Sequence, residues 1–384
     1  MAPLDENSSV LLTGGFGFVG GHVLEQLLRE GVGRVHVVDD LSTNPVGVDV
    51  LLSELPRASG LTYDPITVRE YLEESNERFD AVIHLASVVG PAGVLQHGGR
   101  IVPSIVNDTS MLADYALEHR ARLVDVSTSE VYGGGRDGLC REDDPKIVPA
   151  DTTYRLEYAV AKLAAETSLI NLHARTGLDV VIVRPFNVGG PRQSGEGGFV
   201  VPRFLAQAHL GLPLTIFGDG QARRAFSHVK DVADGVIRAA RYGTPGTAYN
   251  LGNHGNVVTV DELAGCVITV TESASRKQYI DPTQIYGPDF VEANDKFPSA
   301  GRAITGLGWT PQLNVETVVR DAWAYMRKAS SETFARLAGR KIIEQLAETR
   351  AGGVASTDAV HEPPAGETAL AKDRAAGCVR EISI

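Results

Sequence analysis

The apolar run Val10-Leu11-Leu12-Thr13 breaks into glycines at 14, 17 and 20, and an amphipathic stretch from His22 to Arg29 follows. Glycines spaced by three between an apolar strand and a helix predict a tight turn. Such a turn brings backbone N–H groups and a helix N-terminus up to a pyrophosphate. Gly14, Gly17, Phe18, Val19 and Gly20 are therefore candidate cofactor-binding residues. A second apolar run, Val35-His36-Val37-Val38, ends in Asp39 and Asp40. An acid at that place accepts hydrogen bonds from the adenosine ribose and repels a 2′-phosphate, which favours NAD over NADP. Asp39, nearest the strand end, is the better candidate.

Further apolar runs follow at Asp80 to Ala86, Arg122 to Ser127 and Asp179 to Pro185, with helical patterns between them from Ser104 to Glu118 and Tyr158 to Arg175. Alternating units with nearly continuous apolar strands predict an α/β fold, a doubly wound parallel sheet of Rossmann type. Ligands of such sheets bind beyond the carboxyl ends of the strands. From about Gly190 the pattern loosens into Gly- and Pro-punctuated segments, and helical patterns return from Val260 to Thr271 and Asn314 to Arg327. The expected organisation is a dinucleotide-binding domain over 1–188 and a smaller, partly interleaved substrate lobe over 189–329. Residues 330–384 are expected to form a helix, from Ser330 towards Arg350, and a tail that reads as disordered beyond Ala351.

A net charge of −12, with no basic patch rich in aromatics, argues against nucleic acid as a partner. Cys140, Cys266 and Cys378 are scattered without metal-ligand spacing, so neither a metal site nor a disulfide framework is expected. The polar N-terminus leads straight into the first strand and leaves no room for a signal peptide. No apolar run approaches the ~20 residues of a membrane span. A cytoplasmic location is the simplest expectation.

Tyr158 and Lys162 stand at i and i+4, on one face of a helix. There the ammonium would lower the phenol's pKa, so that the phenolate could take a proton from a sugar or alcohol hydroxyl. The preceding strand ends in Ser127-Thr128-Ser129-Glu130, where Thr128 and Tyr158 could reach the same hydroxyl. A dinucleotide turn beside a phenol–ammonium pair implies redox chemistry on a hydroxyl. Arg192, Arg203, Arg223 and Arg224, in a lobe otherwise poor in basic charge, suit a diphosphate through bidentate contacts.

The turn Thr13-Gly14-Gly15-Phe16-Gly17-Phe18-Val19-Gly20 resembles the extended short-chain dehydrogenase/reductase family. The resemblance continues in order through His84-Leu85-Ala86-Ser87, Asn107, the Tyr158/Lys162 pair, Arg184-Pro185-Phe186-Asn187, Gly218-Asp219-Gly220, Arg223-Arg224-Ala225-Phe226 and Leu307-Gly308-Trp309. It implies Leu85, Ala86 and Ser87 beside the cofactor, Lys162 on the nicotinamide ribose, and Asn187 and Arg224 on a nucleotide-sugar substrate. Thr-Ser-Glu at 128–130 resembles the family's UDP-glucuronic acid decarboxylases and also its GDP-mannose 4,6-dehydratases. Arg155, three residues before Tyr158, and the late stretches Ile285 to Phe290 and Asp295 to Pro298 resemble the decarboxylases and UDP-apiose/xylose synthase. Arg302 lies one position from where those relatives keep an arginine for the substrate carboxylate.

By this resemblance Thr128, Ser129, Glu130, Tyr158 and Lys162 are the catalytic set, and the expected activity is NAD-dependent decarboxylation of UDP-glucuronate through transient C4 oxidation. A 4-epimerase, a 4,6-dehydratase and, outside enzymes, a nucleotide-sensing protein are the alternatives. The resemblance also implies a homodimer formed through the tyrosine helix.

Overall fold

The apolar runs become strands because both of their faces are covered: Val10, Leu11 and Leu12 are all fully buried, and so are Val82, Ile83, Val124 and Val183. The computed structural model describes residues 4–57, 59–133, 139–148, 154–287, 295–340, 342 and 344. Its central sheet comprises β1 (Ser9–Thr13), β2 (Arg34–Val38), β3 (Leu61–Asp64), β4 (Ala81–His84), β5 (Arg122–Val126), β6 (Val180–Pro185) and β7 (Thr247–Leu251). They lie in the order β7-β6-β5-β4-β1-β2-β3. Every pairing is parallel. The strand order reverses between β1 and β4, which places the binding crevice at their carboxyl ends.

Alternate residues feed two cores. Leu12, Ile83, Val124, Val181 and Val183 pack towards the helices Phe18–Arg29 and Val229–Tyr242. Leu11, Val82, Leu123 and Val180 pack on the other face, towards the helices Ile101–His119 and Tyr154–Thr176. That second pair of helices carries the tyrosine motif.

The first helix begins at Phe18, four residues before the expected His22, because Gly17 already serves as its N-cap. The tyrosine helix begins at Tyr154, one turn ahead of Tyr158. β3 and β7 did not stand out in the sequence: β3 has two exposed residues of four, and β7 reads Thr-Ala-Tyr-Asn-Leu. β7 follows the first part of the smaller lobe yet pairs with β6, so the chain crosses back into the main sheet. The lobe holds the short pairings of Leu214–Phe217 with Lys277–Ile280 and of Arg223–Ala225 with Val257–Thr259. The helix Ser331–Ala338 docks on it, with Leu337 O accepting from Gly195 N at 2.8 Å. The expected disorder beyond Ala351, Cys378, and residues 288–290 of the late loop lie outside the described residues. Among the described residues no helix is long and apolar enough to cross a membrane, and no group of three or more His, Cys, Asp or Glu could hold a metal ion.

Candidate active site

At the carboxyl end of β1 the glycine turn presses against the end of β4. Gly14 has φ +70°, and a Cβ there would lie 2.6 Å from the Ala86 nitrogen. A Cβ on Gly20 would lie 1.9 Å from the Gly14 oxygen. Glycine is thus required at 14 for both conformation and space, and at 20 for space alone. Gly17 donates to the Gly14 carbonyl at 3.1 Å. The helix opened by Phe18 and Val19 has no side-chain cap and no acid in its first turn, so its N–H groups suit an anion. Asp39, buried at the end of β2, accepts from Phe16 N and Leu41 N, each at 2.9 Å. Burial raises its carboxyl above the ordinary value, and these backbone donors work against that rise. Leu85 N is held by Thr13 O at 3.0 Å and Ala86 N by Thr13 Oγ1 at 3.4 Å, with half-buried Ser87 next in line. A turn with no room for a Cβ, an uncapped helix end and a strand-end acid with Asp40 beside it fit NAD.

The candidate proton-handling residues gather at the end of β5. Thr128 caps the 3₁₀ turn Ser129–Tyr132, its Oγ1 accepting from Glu130 N at 3.2 Å, and its side chain acts on the Tyr158 phenol to favour the phenolate. Ser129 is buried in that turn. Lys162, 1% exposed, donates to Val126 O at 2.9 Å. Burial pushes the Tyr158 phenol well above its ordinary value; the Thr128 side chain opposes this, and the charges of Glu130 and Asp125 add to it. In this arrangement the Lys162 ammonium is turned to the β5 carbonyl, and the groups acting on the phenol are Thr128, Glu130 and Asp125. One turn beyond Lys162, Glu166 accepts from Arg184 at 2.9 Å and from Ser127 Oγ, pinning the helix to β5 and β6.

Glu130 is held between two cations. Lys296 Nζ donates to its Oε1 at 2.7 Å and Arg155 Nη1 to its Oε2 at 3.2 Å. Burial acts to raise the Glu130 carboxyl, but the two cations outweigh it and hold it down at about 2. Lys296 is itself 4% exposed, and burial lowers its ammonium below the ordinary lysine value. Sequence reasoning quoted Asp295 to Pro298 for its resemblance but gave Lys296 no role. No local signal marks it: the pairing of Phe297–Pro298 with Leu139–Cys140, which follows the Ser129–Tyr132 turn, draws the late segment alongside.

The remaining candidates divide. Arg224, buried, meets Asp295 at 3.5 Å and its charge is felt by Lys296, so it borders the same cluster. Asn187, at φ 37°, donates to Ala225 O at 3.3 Å, next to Arg224. Arg223 pairs with Asp295 at 2.9 Å, and the Arg203 guanidinium lies 3.9 Å from the Phe217 ring centre. Arg192 is not brought to the cluster: it bonds Glu25 at 2.6 Å and His22 at 2.8 Å, fastening the first helix to the lobe. Arg302 bonds Asp143 and the Ala248 carbonyl instead of joining Glu130. The cation that reaches Glu130 from the late segment is Lys296.

Comparison with known proteins places this geometry in a family. Residues 10–252 match the model described as the NAD dependent epimerase/dehydratase family. The chain is similar to a UDP-N-acetyl-alpha-D-glucosaminuronate decarboxylase of Bacillus cytotoxicus, 28% identical over 325 residues that span 84% of this chain and 98% of the relative. It is also similar to UDP-glucuronic acid decarboxylase 1 of Arabidopsis thaliana, 30% identical over 318 residues, 80% of this chain and 67% of the relative. Among solved structures, an epimerase from Methanothermobacter thermautotrophicus superposes with a TM-score of 0.74 at 25% identity, covering 85% of this chain and 93% of its own. The chain is an enzyme of the NAD-dependent epimerase/dehydratase family, with NAD as its cofactor.

Proposed function

We propose that the enzyme decarboxylates a UDP-linked hexuronate, with UDP-glucuronate as the primary substrate. The observation that carries this reading is the convergence of Lys296 and Arg155 on Glu130, two residues along the chain from Thr128. Cations outnumber the acid at the place where a hexuronate would put its own carboxylate, and a neutral hexose has no group to exploit them. The two decarboxylase relatives support the same substrate class.

In this mechanism Tyr158 accepts the proton of the sugar C4 hydroxyl, while Thr128 holds the oxygen. Lys162, fixed to Val126 O, presents its ammonium to the ribose. Gly14, Gly17, Phe18, Val19, Gly20, Asp39, Leu85, Ala86 and Ser87 hold the dinucleotide. When bound, NAD supplies a reversible hydride acceptor and a positive charge beside the phenol. A C4 ketone is β to the C5 carboxylate, so the C5–C6 bond breaks with its electron pair moving to the C4 oxygen, and CO₂ leaves. Ser129 and Glu130 line the C5 side and steer the proton that returns to that carbon. Asn187 and Arg224 hold the diphosphate end. The ketopentose is then released, reduced or rearranged. The enzyme works as a cytoplasmic homodimer through the paired helices Ile101–His119 and Tyr154–Thr176, with the substrate lobe over 189–329.

A second reading, 4-epimerisation, is favoured by the likeness to the methanogen epimerase. Purified protein is incubated with NAD⁺ and, separately, UDP-glucuronate, UDP-N-acetylglucosaminuronate, UDP-glucose and GDP-mannose. Product masses then decide. Loss of CO₂ from a uronate is the expected result. Unchanged mass with inverted stereochemistry replaces the proposal with epimerisation, and loss of water replaces it with dehydration.

A further inference from the structure

One buried acid beside the catalytic pair takes no part in the chemistry above. Asp125, on β5, is 0% exposed, and neither of its carboxyl oxygens meets a hydrogen-bond donor among the described residues. Buried polar groups are nearly always satisfied, and an unpaired carboxylate is among the costliest groups to bury. Its position in the sheet is specific. Thr13, His84 and Asp125 are register partners across β1, β4 and β5, and the row continues through Ile182 on β6 to Ala248 on β7. Thr13 Oγ1 and His84 Nδ1 satisfy each other at 2.7 Å, which leaves the acid without a partner in the row. The next residue, Val126, accepts the Lys162 ammonium, and the one after it, Ser127, binds Glu166. The strand segment that carries Asp125 is therefore the one to which the tyrosine helix is anchored.

We propose that Asp125 is a positioning residue for proton transfer, a buried carboxyl that acts by its charge on the Tyr158–Lys162 pair, so that the Tyr158 phenolate forms readily only while Asp125 keeps its proton. This inference rests on Tyr158 being the base. The facing groups fix the sign. β4 presents His84, kept neutral by burial and by the Lys162 charge, its imidazole lowered to about 3. The tyrosine helix presents Lys162, Glu166 and Tyr158. The helix Ile101–His119 contributes Asp108, which also senses Lys162. Burial raises the Asp125 carboxyl to about 6, with Lys162 opposing the rise and Glu166 adding to it, and its negative form raises the phenol in turn. Two anions in one dry site oppose each other, so the two groups titrate as a linked pair. No oxidant or co-reactant is needed, since only the balance of proton occupancy changes.

Asp125→Asn keeps the shape and removes the charge; Asp125→Leu removes both charge and polarity. For each, the Tyr158 phenolate is titrated in NAD-loaded protein by ultraviolet difference spectra against Tyr158→Phe, and kcat/KM is followed against pH with UDP-glucuronate. In both variants the phenolate titration and the acid limb of kcat/KM move to lower pH by about one unit, so that kcat/KM below the limb rises about tenfold. A merely structural role would change stability and leave the titration in place. A phenolate titration that stays put in whichever variant folds overturns the inference while Tyr158→Phe remains inactive. Turnover that survives Tyr158→Phe overturns the base assignment and the inference with it.

Discussion

At the dinucleotide end of the cleft, Gly14, Gly17, Gly20 and Asp39 all fall within one strand–helix–strand unit, and their fit is steric: a side chain on Gly14 or Gly20 would run into backbone. At the proposed sugar end, Glu130 and Lys296 are 166 residues apart and their fit is electrostatic. The first construction admits no added atom. The second tolerates exchange of residues so long as charge and reach are preserved, and it is where relatives with one scaffold can diverge in substrate.

Substitutions at the two ends test that contrast directly. Tyr158→Phe, which leaves both ends intact but removes the group between them, lowers kcat by about 10³-fold or more; NAD affinity, measured by calorimetry, stays at the parental value. Gly14→Val combines a strained φ of +70° with overlap on Ala86. It weakens NAD binding by at least about a hundredfold, and an NAD affinity within threefold of the parent would remove the steric account of this end. At the other end, Lys296→Met lowers kcat/KM for UDP-glucuronate by about a hundredfold, as expected for loss of a buried charge contact. Lys296→Arg restores most of it, and NAD affinity moves in neither.

The same pair predicts a pH signature. Glu130 is held at about 2, below its ordinary 4.5, so its contribution to stability is complete above pH 4.5 and is lost as pH falls towards 2. In Lys296→Met the carboxyl moves back up, and denaturation midpoints measured between pH 3 and 6 fall earlier than in the parent. The smallest effect is expected at Arg302, which is bound to Asp143 and Ala248. Arg302→Ala keeps kcat/KM within about threefold, in line with the small worth of exposed ion pairs.

This division also explains what could be read from the residues alone. β1, β2, β4, β5 and β6 stood out because each is a short apolar run, and the glycine spacing named its own turn. The Tyr158/Lys162 pair was legible because helical periodicity places both on one face. β3 and β7 were not, since half-exposed Leu-Thr-Tyr-Asp and mixed Thr-Ala-Tyr-Asn-Leu carry no continuous apolar signal. Lys296 escaped notice because its significance comes from a two-residue strand pairing with Leu139–Cys140, which no local pattern encodes. Arg302 drew attention by proximity in sequence, yet its helix, Gly301–Leu307, directs it to Asp143. Asp125 sits in a run that reads as an ordinary strand, and its isolation depends on what β4 and the tyrosine helix bring to it.

Under the proposed reading, the contact between Lys296 and Glu130 makes substrate handling depend on a segment remote in the chain from the dinucleotide turn. The residues up to the end of β7 include the dinucleotide turn, Tyr158 and both members of the Arg155–Glu130 pair. The second counter-ion of Glu130 comes from the late segment, so under the proposed reading an acidic sugar is met by residues contributed from both before and after β7.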